Sequence, residues 1–188
     1  MPGVCLVFNT PMVYSLTELW GGVVTYGQPA TPSIGKGIAT EDYKTRVLEL
    51  NRLCLLPELN GGNYASMLVG RSLKMLPKDY FIVSYSDTEW GHIGYIYQAT
   101  NWLYTGLTKP RTDMANKSGG HARHYEKGET TRVKRSAKHR YVFMTGDKKK
   151  QRKLLKWKVY PDYPKGNSYH YSTDNPISHE ELLRLLDD

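Results

Sequence analysis

Three observations predict an α/β fold with a mixed central sheet flanked by helices. Residues 46–56 and 80–85 are apolar runs of strand length. Between them, Ala65, Leu68, Val69, Leu73 and Leu76 recur at helical spacing. The pair Gly61-Gly62 joins the first strand to that helix. Strand, glycine loop, helix and strand form a unit whose two strands run parallel through a right-handed crossover.

The elements follow in order. Residues 3–8 and 19–26 read as two strands of a hairpin, with Asn9-Thr10-Pro11 supplying turn chemistry after the first. Residues 28–40 are rich in Pro, Gly, Ser and Thr and read as a loop. In the strand at 46–56, Leu48 and Leu50 share one side and Glu49 and Asn51 the other. The apolar phase then slips by one to Leu53 and Leu55, so a β-bulge is expected near Asn51-Arg52. Residues 57–63 break the strand, and the helix over 64–76 ends at Pro77-Lys78-Asp79. After the strand at 80–85, Ser86-Asp87-Thr88 is a turn or a helix cap, and residues 94–104 read as a short aromatic helix stopped by Gly106. Further on, Tyr141-Val142-Phe143 is expected as a strand, Gly146-Asp147 as a turn, and residues 149–157 as a helix docking Leu154, Leu155 and Trp157. An extended tail from Pro161 closes with a short helix, capped at Ser178 with Glu181 and ending at Leu186.

A chain of 188 residues is expected to form one domain over 1–188, with its hairpin and ligand core in 1–106 and a basic half in 107–188. It has no apolar run near the roughly 18–20 residues that span a bilayer. No basic-then-apolar leader opens it either, so neither a membrane partner nor a secretory signal is expected. Cys5 and Cys54 stand far apart without metal-ligand spacing, which fits a reducing cytoplasm. The net charge is +8, but 17 Lys+Arg against 4 Asp+Glu lie between Lys109 and Lys158, and the rest of the chain is net acidic. Such asymmetry points to a polyanion, and a nucleic acid is the expected partner. Arg111, Arg123, Arg132, Lys134, Arg135, Lys138 and Arg140 are the candidate phosphate contacts, interleaved with Tyr125, Tyr141, Phe143 and Trp157. A solvated basic surface is the alternative.

Two glycines ahead of a helix let backbone N–H groups converge on an anion at the positive end of its dipole. A tight connection explains the pair equally well. For proton transfer, Asp87 is the best base or amine ligand, with Ser84 a weaker polar candidate and His92 beside them. Asp87 is equally a helix cap, His92 more often a structural histidine, and Asn51 and Arg52 either reach a ligand or decorate a strand edge. His121 and His124 have a two-ligand spacing without a completing set, so no metal site is assigned.

Two resemblances narrow this reading. The stretch Leu53-Cys54-Leu55-Leu56-Pro57-Glu58-Leu59-Asn60-Gly61-Gly62-Asn63-Tyr64-Ala65 resembles the acyl-CoA site of GNAT acyltransferases. There a bulged strand runs into a glycine-rich pyrophosphate loop and a helix. The resemblance implies a GNAT-like fold, an acyl-CoA-type donor and donor contacts at Leu53, Cys54, Leu55, Asn60, Gly61, Gly62, Asn63, Tyr64, Ala65 and Asn101. Tyr97 falls where that family carries a tyrosine acid for the departing thiolate, with Trp102 and Gly106 downstream. The phrase from Ser84-Tyr85-Ser86-Asp87 through Gly91-His92-Ile93-Gly94 to Tyr97-Gln98-Ala99-Thr100-Asn101-Trp102 is similar to phage Mom-type DNA adenine modification proteins, as is Leu48-Glu49-Leu50-Asn51-Arg52-Leu53-Cys54. That resemblance implies addition of a carbamoylmethyl-type group to the adenine N6 amine, shielding phage DNA from restriction in the host cytoplasm. Relative to those families, the chain reads as lacking an N-terminal β1–α1–α2 region and as carrying a basic C-terminal extension. A protein or small-molecule N-acyltransferase and an inactive DNA-binding anti-restriction protein are the alternatives.

Overall fold

A computed structural model describes residues 4–9, 13–18, 22–59, 62–116 and 130–166. Seven of its strands form one sheet: β1 (Val4–Asn9), β2 (Val13–Glu18), β3 (Gly22–Gly27), β4 (Val47–Leu55), β5 (Phe81–Asp87), β6 (Leu103–Leu107) and β9 (Lys138–Met144). Their spatial order is β1-β2-β3-β4-β5-β9-β6. β4 and β5 run parallel, while the other neighbours pair antiparallel, so the sheet is mixed. Two further strands, β7 (Arg111–Asn116) and β8 (Thr130–Arg135), make a separate antiparallel ribbon.

Both faces of the sheet are covered, and the alternation along each strand decides which residues go where. On one face Val24, Tyr26, Leu48, Leu50, Ile82 and Tyr141 pack with Leu68, Val69 and Leu73 of α2 (Tyr64–Met75) and with Trp102. Buried Ser72 of α2 meets the Tyr26 hydroxyl at 2.6 Å. On the other face Val47, Phe81, Val83, Val142 and Met144 pack with Ile38 of α1 (Pro32–Ile38) and with Leu154, Leu155 and Trp157, at and just past the end of α4 (Lys148–Leu154). Asp147 caps α4 by accepting from the Lys149 and Lys150 N–H groups, and Gln151 is buried, donating to the Tyr80 carbonyl.

Several elements differ from the sequence reading. The expected hairpin of 3–8 with 19–26 is split by β2, which pairs with β1 on one side and β3 on the other. Residues 28–40 contain helix α1: Pro32 occupies its first turn, where a missing N–H costs nothing, and Ile34 and Ile38 share a core-facing side. The aromatic helix expected over 94–104 is only α3 (Tyr95–Ala99), because Asn101 turns the chain at φ 61° and the remainder extends as β6. The region after 107 does not simply follow the core in space. Its strand β9 lies between β5 and β6.

Candidate functional site

β4 and β5 are nine and seven residues long, yet they pair at only three positions, Val47–Phe81, Leu48–Ile82 and Glu49–Val83. On the other side of β4, Tyr26 faces Leu50 and Thr25 faces Arg52, leaving Asn51 as an extra residue. That is the bulge the apolar slip predicts, and a bulge bends its strand. The parallel strands therefore part after Glu49, and a gap opens in the middle of the sheet.

Polar groups gather at this gap. Ser84, the first β5 residue past the paired stretch, is buried and donates to the Tyr97 phenol oxygen at 2.8 Å, with the Leu50 carbonyl at 3.2 Å. Tyr97 is clamped by ring contacts to Trp102 and Tyr141, each with centroids 5.1 Å apart. Burial raises its phenol above the ordinary tyrosine range, the Ser84 hydrogen bond opposes this, and the Glu49 carboxylate adds to it. Glu49 enters from the opposite face of the sheet. Burial pushes its carboxyl up, against a 2.9 Å hydrogen bond from the Ala30 N–H. Tyr85, also on that face, is pushed up to about 12 by burial.

Beyond the gap lies a cleft of about 270 Å³ lined by Tyr85, Ser86, Trp90, Gly91, His92, Ile93, Gly94, Tyr95, Ile96 and Tyr97. Its wall is held by the Ile93 carbonyl, which accepts from the Tyr141 hydroxyl and from Gln98 Nε2 at 3.0 Å. Gly91 and Gly94 adopt φ of 62° and 80°, and a Cβ at Gly94 would run into the Tyr141 ring. Burial lowers the His92 imidazole below its ordinary value, partly offset by Asp87.

Ser84 and Tyr97 are thus brought together, whereas Asp87 turns to the opposite face. Asp87 accepts hydrogen bonds from Ser136 and Lys138, and from the Glu89 N–H at 3.1 Å as the cap of a short 3-10 turn. Burial opposes ionisation there, but these donors outweigh it and hold the carboxyl below the ordinary aspartate value. Glu49, Tyr85 and Ser86 escape sequence reasoning. Glu49 sits in an alternating strand whose polar side reads as solvent, and only the sheet pairing reveals its burial.

A second groove, of about 840 Å³, runs between α2 and the end of α3. Asn63 and Asn101 both line it, with Arg71, Lys74, Lys78 and Lys148 supplying positive charge over Met67 and Phe143. Of the other expected donor contacts, Leu53 and Leu55 lean on the core and Cys54 is exposed. Gly62, Tyr64 and Ala65 lie at the head of α2, while Asn60 and Gly61 fall outside the described residues.

The expected phosphate contacts divide. Lys138 is paired with Asp87, and Arg140 stacks on Trp157 at 3.7 Å while bonding Thr105. Arg111 and Arg135 share the Asp113 carboxylate at 3.1 and 3.6 Å. Arg132 and Lys134 are exposed on the ribbon face opposite Asp113, without an acidic partner among the described residues. Arg123, His121 and His124 lie outside those residues, among which no metal-ligating cluster and no membrane-length apolar helix occurs.

The described elements define a mixed α/β protein whose site lies where two parallel strands part. The chain belongs to the Mom protein family, whose model matches residues 12–165. No curated protein matches it in sequence. Among solved structures, a Bacillus subtilis acetyltransferase in complex with CoA is similar at 13% identity and a TM-score of 0.45, over 77% of this chain and 99% of that one.

Proposed function

We propose that this chain transfers a carbamoylmethyl- or acyl-type group to the N6 amine of adenine in DNA. The observation that carries the reading is the Ser84–Tyr97 hydroxyl pair at the strand gap, with the Glu49 carboxylate on the other face near enough to raise the Tyr97 phenol. A carbamoylmethyl product would need a donor whose leaving sulfur sits on the saturated CH2 carbon. For an acyl product, an acyl-CoA-type donor would supply the carbonyl carbon and a thiolate leaving group. Its phosphates fit the groove of Arg71, Lys74, Lys78 and Lys148, with Asn63 at the head of the twelve-residue helix α2 and Asn101 across from it.

The chain's own groups then move two protons. Tyr97, raised by burial, keeps its phenolic proton at neutral pH and holds it ready for the departing sulfur. Ser84 donates to the phenol oxygen and steadies the negative charge left behind. Glu49, whose carboxyl is raised by burial, takes the proton that the amine loses as its new bond to carbon forms. His92, neutral through burial, stands beside the cleft as a polar contact.

Support for DNA as the acceptor comes from the ribbon, which is rooted next to the cleft. The Thr88 hydroxyl donates to the Ala137 carbonyl at 2.7 Å, and Thr108 and Lys138 exchange two 2.9 Å bonds at its base. Cations on such an arm hold the phosphate backbone near the reacting groups. Mass spectrometry of nucleosides from DNA co-expressed with the chain tests the reading. A new adenine adduct lost in Tyr97→Phe is expected. Unmodified DNA alongside acetylation of a protein amine overturns it.

A further inference from the structure

The cleft at the carboxyl end of β5 contains a group that the chemistry above does not use. Ser86 is only 5% exposed, lines the cleft, and its hydroxyl has no hydrogen-bond partner. A buried hydroxyl left unpaired is costly, and a rotation about χ1 would turn this one, now shielded beside Gly94, toward a polar atom in the cleft. Around it the wall is aromatic: Trp90 and Tyr95, large side chains left 54% and 45% exposed, with Tyr97 deeper in. The glycines at 91 and 94 keep the rim free of side chains. Flat aromatic walls with one fixed hydrogen-bonding group are what a nucleobase lifted from its stack requires.

We propose that this cleft is the pocket for the target base, stacked against Trp90 and Tyr95 and held at its polar edge by the Ser86 hydroxyl. The inference rests on reading DNA as the acceptor, but not on transfer taking place. Tyr97 lines the same cleft, so a base seated there lies beside the hydroxyl pair at the gap.

The probe is a short single-stranded oligonucleotide carrying one 2-aminopurine, with total binding followed separately by anisotropy. Seating of the base against aromatic rings quenches 2-aminopurine emission on binding. Trp90→Ala and Tyr95→Ala are expected to remove most of that quench while total affinity, set by phosphate contacts, changes less than about threefold. Ser86→Ala is expected to lower the preference for adenine over an abasic position by about two- to tenfold, the range of one hydrogen bond. It should do so with no fall in melting temperature, because the hydroxyl it removes has no partner in the protein. A merely structural serine gives the opposite pattern, a lower melting temperature with the base preference intact, and overturns the assignment. So does CoA displacing the quench in proportion to its own binding, which makes the cleft part of the donor site. A quench that depends on Trp90, Tyr95 and Ser86 in a chain that modifies no DNA upholds the pocket and removes the transferase reading.

Discussion

Replacing Tyr97 with phenylalanine separates the chemical role of the phenol from its packing role. The ring contacts to Trp102 and Tyr141, both at 5.1 Å, survive the change. What is lost is the oxygen 2.8 Å from Ser84, and Ser84 retains the Leu50 carbonyl at 3.2 Å as an acceptor. Nothing buried is left without a partner, so the stability cost is that of one ordinary hydrogen bond, about 0.5–1.5 kcal/mol. In a chain of this size that lowers the melting temperature by roughly 1–6 °C. Loss of a general acid costs far more in rate, about 100- to 10,000-fold, or roughly 3–5.5 kcal/mol of barrier. The assay is single-turnover formation of the adenine adduct at neutral pH, beside a thermal melt of the same preparation. A small melting shift with a large rate loss is expected. A Tyr97→Phe protein that keeps its rate within about threefold, or that loses rate only in step with its folded fraction, would falsify the acid role.

Four further outcomes follow from the geometry. Glu49 is raised by burial and must be ionised to accept a proton, so adduct formation should fall on the acid side with a midpoint above the ordinary glutamate value of 4.5. Glu49→Gln should remove that limb along with most of the rate; an unchanged pH profile refutes the assignment. Asp87 is held below its ordinary value, so it stabilises the fold fully above the unfolded value near 3.8 and ceases to as pH falls through its lower folded value. The melting-temperature gap between wild type and Asp87→Asn should accordingly be largest at neutral pH and close in acid. Gly94→Ala forces a side chain into φ 80° and against Tyr141, and should cost at least about 1–2 kcal/mol in a denaturant titration. On the ribbon, Arg132→Gln with Lys134→Gln should lower the slope of log binding constant against log salt by about 1.8. Arg111→Gln with Arg135→Gln removes the same charge from the side that Asp113 already occupies, and should change the slope much less.

The elements legible in the sequence are those decided by local pattern. Leu68, Val69 and Leu73 mark the buried face of α2, and the slip from Leu50 to Leu53 marks the bulge at Asn51. Composition misleads at 28–40, where Pro32 and the glycines suggest a loop although proline is at home in a helix's first turn. One left-handed residue, Asn101, converts an expected aromatic helix into α3 and β6. Of the candidate site residues, Tyr97 comes from a resemblance and Ser84 from its place at a strand end, and the fold sets their hydroxyls 2.8 Å apart. Glu49 and Ser86 depend on which strands pair and where they part, and no local spacing carries that information.

The position of β9 has a consequence for how the chain is made. Its two sheet neighbours, β5 and β6, both leave the ribosome before it, and the whole of residues 108–137 must follow before β9 can slide between them. Until then β5, whose residues 81–84 are buried in the finished sheet, presents a bare apolar edge to solvent or to other nascent chains. The segment that carries the ribbon is therefore also the tether that sets how long that edge stays open. Shortening the ribbon should speed closure of the sheet and improve the soluble yield, and lengthening it should do the reverse.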